Sequence, residues 1–320
     1  MPKICHLASN FPAGILTDGS HECICSWADV VWAAITVGKR ELYDVDRHGQ
    51  FSLFEIVART ATLFASLKEN DDGYLIRSDV YDGLDPTEKG ATSYLLGLVM
   101  AKLMSQIYLG VPWLMHLDVY RDRVEARLSG RSRPDLIGQN VANEWVVVEA
   151  KGRTGPRDAG ALAQAKNQAG EIVSIGGDHP ILRVGLMAHF TKGWLEVDWE
   201  DPEREESQEE VRVDLRGSEL KEGYYRPFER LFTALRDRTT TEMIGDQEFR
   251  IVPVETADLE VGRAVAHSRH VGLEYQRFWQ GIHREGRVAV GGDGILVRLG
   301  RSWSEENMRL EPQSRDSLME

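Results

Sequence analysis

The spacing of apolar residues predicts two amphipathic helices in the first third of the chain. Between Phe51 and Leu67, apolar side chains recur every three or four residues, which places them on one face of a helix. A second helix is predicted to begin after Asp85-Pro86, a pair typical of a helix cap and first turn, and to run to about Tyr108. We interpret residues 1–80 as a mostly helical N-terminal region.

After Val111 the apolar pattern becomes that of strands, because apolar and polar positions begin to alternate. The run Trp145-Val146-Val147-Val148 is apolar on both faces, which is typical of a strand in the middle of a sheet. The predicted order from residue 85 onward is therefore helix, three strands, helix, strand. After the first helix these elements are strands at 113–127, 133–138 and 144–151, a helix from Asp158 to Ile175 and a strand at 181–190.

The C-terminal third mixes helices and strands. A hairpin is predicted at 288–297, because short apolar runs flank the turn Gly291-Gly292-Asp293-Gly294. We therefore expect an α/β fold with a mixed α+β sheet, a helical N-terminal region and an α+β C-terminal extension. The other elements predicted here are a helix at 225–236, a strand at 249–254 and a helix at 271–282.

The charge is distributed unevenly along the chain. The sequence has 38 Lys and Arg against 51 Asp and Glu, and its net charge of -13 argues against a protein coated in basic charge that binds polyanions over its whole surface. Between Leu195 and Glu222, twelve acids against four bases give -8, which we interpret as a solvated linker. From Val119 to Gln168, nine bases and six acids give +3, which allows a local basic face. The predicted regions are the helical N-terminal region at 1–80, a core at 81–195, the acidic linker at 196–222 and the α+β C-terminal region at 223–320.

Cysteine content and apolar stretches indicate a cytoplasmic protein. Three cysteines close to one end of the chain are too few for a disulfide framework, so a reducing compartment fits best. The first residues lack the basic and apolar regions of a secretory signal. The most apolar stretch, Tyr94 to Leu117, is interrupted by Lys102 and Gln106 and falls short of a membrane span. We expect no membrane partner.

Acidic and basic side chains follow the buried run at 145–148. Glu149 and Lys151 are two residues apart on a strand and project to the same face. If the preceding strand pairs with this one as a hairpin, Asp135 lies next to Glu149. The two carboxylates and the backbone carbonyl of Ala150 are hard oxygen ligands that favour Mg²⁺ or Mn²⁺, and the Lys151 ammonium can orient a water or stabilise negative charge. These groups suit the hydrolysis of a phosphodiester.

Pro134-Asp135 and Glu149-Ala150-Lys151 together resemble the motif of the PD-(D/E)xK superfamily, the restriction-endonuclease-like nucleases. The resemblance covers about Asp85 to Phe190 and implies an αβββαβ core. It further implies a Mg²⁺-dependent (or Mn²⁺-dependent) DNA endonuclease that acts in restriction, repair or anti-phage defence. Asp135, Glu149 and Lys151 are then the catalytic residues, and Asp135, Glu149 and Ala150 hold the metal.

The same resemblance implies three further site residues. Family members carry an acid on the helix before the first strand, and Glu88 is the candidate for this catalytic and metal-binding position. An acid in a first helical turn is equally well explained by the helix dipole. Gln164 and Gln168 are similar to the glutamine-bearing helix of related nucleases, although Gln168 stands where those nucleases have an aromatic residue. The alternative for both glutamines is the solvated face of an amphipathic helix.

The expected partner is DNA, and the metal chemistry does not distinguish it from RNA. The acidic stretch at 196–222 offers a docking site for a basic protein, or a cover over the basic cleft. We also expect a homo-oligomer or a subunit of a complex. The alternative function is a catalytically silent nuclease-fold subunit that binds nucleic acid or a partner protein. The candidate nucleic-acid contacts are Arg131, Arg133, Arg153, Arg157 and Lys166.

Overall fold

The computed structural model describes residues 1–37, 51–117, 127–129, 134–191, 193–201, 211–265 and 286–309. These residues form a mixed α/β fold with several helices and a seven-stranded mixed sheet. The helices are α1 (Trp27–Thr36), α2 (Phe51–Ser66), α3 (Asp79–Gly83), α4 (Pro86–Leu109), α5 (Ala159–Gly170), α6 (Gly217–Ala234) and α7 (Glu305–Arg309). The strands are β1 (Lys3–Ser9), β2 (Gly19–Ile24), β3 (Leu67–Glu69), β4 (Leu75–Arg77), β5 (Trp113–His116), β6 (Arg127–Ser129), β7 (Leu136–Gln139), β8 (Trp145–Gly152), β9 (Ile172–Ile175), β10 (Leu182–His189), β11 (Glu196–Glu200), β12 (Val211–Asp214), β13 (Thr240–Ile244), β14 (Gln247–Val254), β15 (Leu259–Ala264), β16 (Val288–Val290) and β17 (Ile295–Leu299).

The seven-stranded sheet has the order β2-β1-β11-β10-β8-β7-β5. Strands β5, β7 and β8 form an antiparallel meander, and β10 lies parallel to β8 after the crossover through α5. The succession α4, β5, β7, β8, α5, β10 therefore follows the predicted order of elements. The short strands β6 and β9 come between them in the chain, but both pair with β12 in a separate three-stranded sheet.

Helices α4 and α5 pack on opposite faces of β8 and β10, and glycines allow the close approach. A Cβ at Gly97 of α4 would lie 2.9 Å from the backbone nitrogen of Gly152, at the end of β8. On the other face, a Cβ at Gly185 of β10 would lie 2.7 Å from the backbone nitrogen of Lys166 on α5. Because side chains alternate along a strand, Glu149 and Lys151 project toward α5.

The cap predicted for the second helix is present. The carboxylate of Asp85 accepts hydrogen bonds from the backbone nitrogens of Thr87 and Glu88, at 2.6 and 3.1 Å, and Gly110 ends α4 in the left-handed conformation. The predicted helix at 51–67 and the hairpin at 288–297 are also confirmed. The helix predicted at 271–282 lies outside the described residues.

Three sequence interpretations need correction. The described residues of the N-terminal region are not mostly helical, because β1 and β2 extend the central sheet. The helix predicted to reach Ile175 ends at Gly170, since the β-branched residues that follow pair with β12 as β9. The strand predicted at 113–127 is split in its described residues: Trp113–His116 forms β5 in the central sheet, and Arg127 belongs to β6 in the other sheet. Residues 118–126 lie outside the described part of the chain.

The acidic stretch predicted as a linker at 196–222 is not a linker in its described residues, which belong to strands and a helix. Strand β11 lies inside the central sheet between β1 and β10, β12 pairs in the second sheet, and α6 begins at Gly217. The acids of β11 alternate with Val197 and Trp199, which are buried. A strand with one acidic face therefore has the composition of a charged loop. Residues 202–210 lie outside the described part of the chain.

The C-terminal strands form a five-stranded sheet in the order β13-β14-β15-β17-β16. Among the described helices, none combines the length and apolar character needed to cross a membrane.

A buried polar network joins the C-terminal five-stranded sheet to three helices. Lys102 of α4 donates to the hydroxyl of Tyr224 at 2.7 Å, and that hydroxyl donates to the carboxylate of Asp293 in the β16–β17 turn. Trp32 of α1 donates to the same carboxylate at 3.2 Å. Burial lowers the pKa of Lys102 to about 7 and raises the pKa of Asp293, with the attraction between the two charges opposing both shifts. The network therefore fixes α1, α4 and α6 against the turn of the hairpin.

We expect Asp293→Ala to lower the free energy of unfolding by about 3–5 kcal/mol, because it leaves the buried Lys102 ammonium without its counter-charge. Trp32 and Tyr224 also lose their acceptor. Urea denaturation followed by circular dichroism measures the change. Asp72→Ala, in an exposed turn, is the control and should change stability by less than about 0.5 kcal/mol. A loss below about 1 kcal/mol for Asp293→Ala would show that the network does not stabilise the fold.

Candidate active site

Asp135 and Glu149 meet where β7 begins and β8 approaches its end. The register pairs Leu136 with Val148, so the residue before β7 lies opposite Glu149. The backbone nitrogen of Asp135 donates to Oε2 of Glu149 at 2.8 Å, and the backbone nitrogen of Ala150 donates to Oδ2 of Asp135 at 3.3 Å. The hairpin anticipated from the sequence thus places Asp135 beside Glu149.

Lys151 and Gln168 complete this arrangement on the α5 side. The Nζ of Lys151 donates to Oε1 of Glu149 and, at 2.8 Å, to Oε1 of Gln168. Gln168 lies in the last turn of α5, so the helix holds the ammonium over the strand. Gln164, one turn earlier, is exposed, and its side chain makes no hydrogen bond to any residue that the structure describes. Only the second of the two predicted glutamines reaches the site.

Glu149 is the most deeply buried of these groups, with 2 % of its surface exposed. Burial raises the pKa of its carboxyl, and the contacts with Lys151 and with the backbone nitrogen of Asp135 oppose that shift. The nearby carboxylate of Glu171 raises the pKa further. Oε2 of Glu171 is itself buried and has no hydrogen-bond partner among the described residues. The site therefore carries negative charge in a poorly solvated place.

Two site neighbours were missed by the sequence analysis. His116, the last residue of β5, has Nε2 at 3.7 Å from Oδ1 of Asp135 and at 3.0 Å from the hydroxyl of Tyr94 on α4. The available signal was a single polar residue closing the apolar run Trp113-Leu114-Met115. A polar residue at this position does not by itself indicate a site residue. The pairing of β5 with β7 does, because it brings His116 beside Asp135.

Glu88 is placed at the N-terminus of α4, in a capping box. Its carboxylate accepts from the backbone nitrogen of Asp85 at 3.3 Å, and its side chain is exposed. No contact between Glu88 and Asp135, Glu149 or Lys151 is found among the described residues. The structure therefore accounts for Glu88 by the helix cap, which was the alternative explanation from the sequence.

The described basic residues around the site are each matched by an acid. Arg153 pairs with Asp158 at 3.3 Å. The other two basic residues pair with acids of β11: Arg157 with Asp198, and Lys166 with Glu200 at 2.9 Å. The acidic stretch and the predicted basic face are thus in direct contact. Arg131 and Arg133 lie outside the described residues.

The donor set fits a hard divalent cation in chemical type. Asp135 and Glu149 are neighbours that each offer carboxylate oxygens, and Ala150 lies between Glu149 and Lys151 on the same strand. A cation beside the buried Glu149 would relieve the cost of its charge, a task that the Lys151 ammonium performs in this structure. Within the described ranges, no group of three or more His, Cys, Asp or Glu side chains is arranged to hold a metal ion. A bound ion would therefore depend on two carboxylates and a backbone oxygen.

Comparisons with known proteins add no family assignment. No family model matches the chain, and neither curated proteins nor solved structures give a match. Conclusions about function therefore rest on the geometry of the site.

We expect Lys151→Met to raise the pKa of Glu149 further, because the carboxylate loses the ammonium that opposes the effect of burial. Carbon-13 NMR titration of the glutamate carboxyl groups measures this shift. Lys166→Met, on the same helix as Gln168, removes an ammonium that pairs with Glu200 and should leave the pKa of Glu149 unchanged. An unchanged or lower pKa in Lys151→Met would contradict the described charge balance.

Proposed function

We propose that this chain is a metal-dependent nuclease that hydrolyses DNA phosphodiester bonds. The observation that carries the proposal is the contact of Asp135, Glu149 and Lys151 at the paired ends of β7 and β8. Gln168 supports it by holding the Lys151 ammonium from α5.

The topology supports the same proposal. Three antiparallel strands are followed by a parallel fourth, with α4 on one face and α5 on the other. This is the arrangement that the resemblance to restriction-endonuclease-like nucleases implies for the residues between Asp85 and Phe190. We propose that these elements are the αβββαβ core of such a nuclease.

In this proposal Asp135 and Glu149 hold Mg²⁺ or Mn²⁺ through their carboxylates, with the carbonyl of Ala150 as a further oxygen. When bound, the ion polarises the phosphodiester and lowers the pKa of a water. Burial of Glu149 strengthens its attraction for any nearby cation, because little water competes. Lys151 places a positive charge where negative charge develops on the phosphate. Gln168 limits the positions open to the Lys151 side chain, so the ammonium stays close to the phosphate when the ion takes its place at Glu149.

Restriction, repair and anti-phage defence remain the biological roles that the resemblance implies. RNA is the alternative substrate, since the two carboxylates and the ammonium act on the phosphate and not on the sugar. A comparison of DNA and RNA strands of one sequence separates the two.

The second candidate function is a nuclease-fold subunit that binds nucleic acid or a partner protein without cleaving. Two observations favour it: the Lys151 ammonium is engaged by Glu149, and the described bases near the site are paired with acids. In this case the purified chain binds but does not cleave nucleic acid.

Purified protein with Mg²⁺ or Mn²⁺ is expected to cleave plasmid or linear DNA. Lys151→Ala should lower the rate about 10²–10³-fold, the usual cost of removing one group that stabilises transition-state charge. Gel electrophoresis of a time course measures the rate. Lys68→Ala, on β3, is the matched control and should cleave as the wild type does.

Intact DNA with wild-type protein and either metal would overturn the nuclease proposal and favour the non-cleaving subunit. Equal cleavage by wild type and Lys151→Ala would remove Lys151 from the mechanism.

A further inference from the structure

An aromatic ring lies exposed beside the candidate site. Tyr94 projects from α4 with 40 % of its surface exposed. Its hydroxyl is 3.0 Å from Nε2 of His116, and the same nitrogen is 3.7 Å from Oδ1 of Asp135. The ring is thus two contacts away from one of the two candidate metal ligands.

Both ends of Tyr94 are held in place. A Cβ at Gly152 would lie 2.9 Å from the backbone nitrogen of Tyr94, so only a glycine directly after Lys151 lets α4 come this near to the end of β8. At the other end, the hydrogen bond to His116 fixes the hydroxyl. A ring anchored at both ends loses little conformational freedom when a ligand packs on it.

Among the described residues, the charges near the site favour stacking over phosphate binding. Arg157 and Lys166 are engaged by Asp198 and Glu200, and the chain as a whole carries -13. Duplex DNA is bound mainly through its phosphates, which need unengaged cations. An unpaired base instead offers a flat face to an aromatic side chain, a contact worth roughly tenfold in affinity per base.

We propose that Tyr94 is a stacking platform for an unpaired base, so that the site binds single-stranded DNA in preference to duplex. The inference rests on the proposed nuclease function and names the substrate class of the same site. The base lies on the Tyr94 ring, and the adjoining phosphate reaches toward Asp135 and Lys151. Tyr94 is then a specificity-determining residue, and His116 is a positioning residue that holds the Tyr94 hydroxyl.

Binding is measured by fluorescence anisotropy, with the full chain in the Lys151→Ala background and Mg²⁺ present. The probes are a labelled DNA single strand, the duplex of the same sequence, and a single strand of equal length whose sugars carry no bases. The third probe keeps the phosphates and removes every stacking face. We expect the base-bearing strand to bind about tenfold or more tightly than either of the others.

Three substitutions in this background separate the ring from its hydroxyl. Tyr94→Leu removes the aromatic face and is expected to weaken binding of the base-bearing strand about tenfold, with no change for the duplex. Tyr94→Phe keeps the ring and should retain most of the preference. Phe54→Leu removes an exposed ring on α2 and is the matched control, with no expected effect.

Equal affinity for the base-bearing and base-free strands would overturn the inference. Absence of single-strand binding, or a preference that survives Tyr94→Leu, would overturn it as well. These results are distinct from failure of the nuclease proposal, which is judged by cleavage with unsubstituted Lys151. A protein that cleaves but shows no preference keeps the function and loses the inference.

Discussion

The buried carboxyl of Glu149 is the constraint on which the site depends. A negative charge with 2 % exposure must be compensated by groups that the fold brings to it. The backbone nitrogen of Asp135 and the ammonium of Lys151 do so, and both are delivered by the pairing of β7 with β8 and by the alternation of side chains along β8. A one-residue slip in this register would turn Asp135 away from Glu149. Strand pairing and candidate chemistry therefore depend on the same contacts.

Acidic residues of β11 contact basic residues next to the candidate site. Strand β11 carries Asp198 and Glu200. Asp198 pairs with Arg157 in the loop after β8, and Glu200 pairs with Lys166 of α5. Burial alone would raise the pKa of Asp198, but its contacts with His189 and Arg157 lower it. The acidic stretch is thus partly an internal counter-charge to the basic face. This arrangement limits the electrostatic attraction that the described surface offers to a polyanion.

Sequence periodicity predicted the parts of the fold that depend on local pattern. The apolar run at 145–148 gave β8, the Asp85-Pro86 cap gave the start of α4, and the glycine-rich turn gave the C-terminal hairpin. Strand β11 was missed because its acids outnumber its apolar residues, although they alternate with Val197 and Trp199. Burial of that strand is decided by partners far away in the chain, which local composition does not reveal.

The candidate site shows the same division. Asp135, Glu149 and Lys151 could be placed together because a hairpin and a two-residue spacing determine their positions. The residue that α4 contributes to the site could not be predicted, because it depends on which part of the helix contacts the sheet. Glu88 and Tyr94 are six residues apart, which is about 9 Å along the helix. The structure brings Tyr94 toward Asp135 through His116, while Glu88 remains in the cap.

The most direct test of the central claim is a crystal structure of the protein grown with Mn²⁺, with the anomalous signal of the ion mapped. We expect a peak about 2.1 Å from carboxylate oxygens of both Asp135 and Glu149, with the Lys151 ammonium displaced from Glu149. A map with no ion at these two carboxylates, and with Lys151 still on Glu149, would contradict the proposal that this chain is a metal-dependent nuclease.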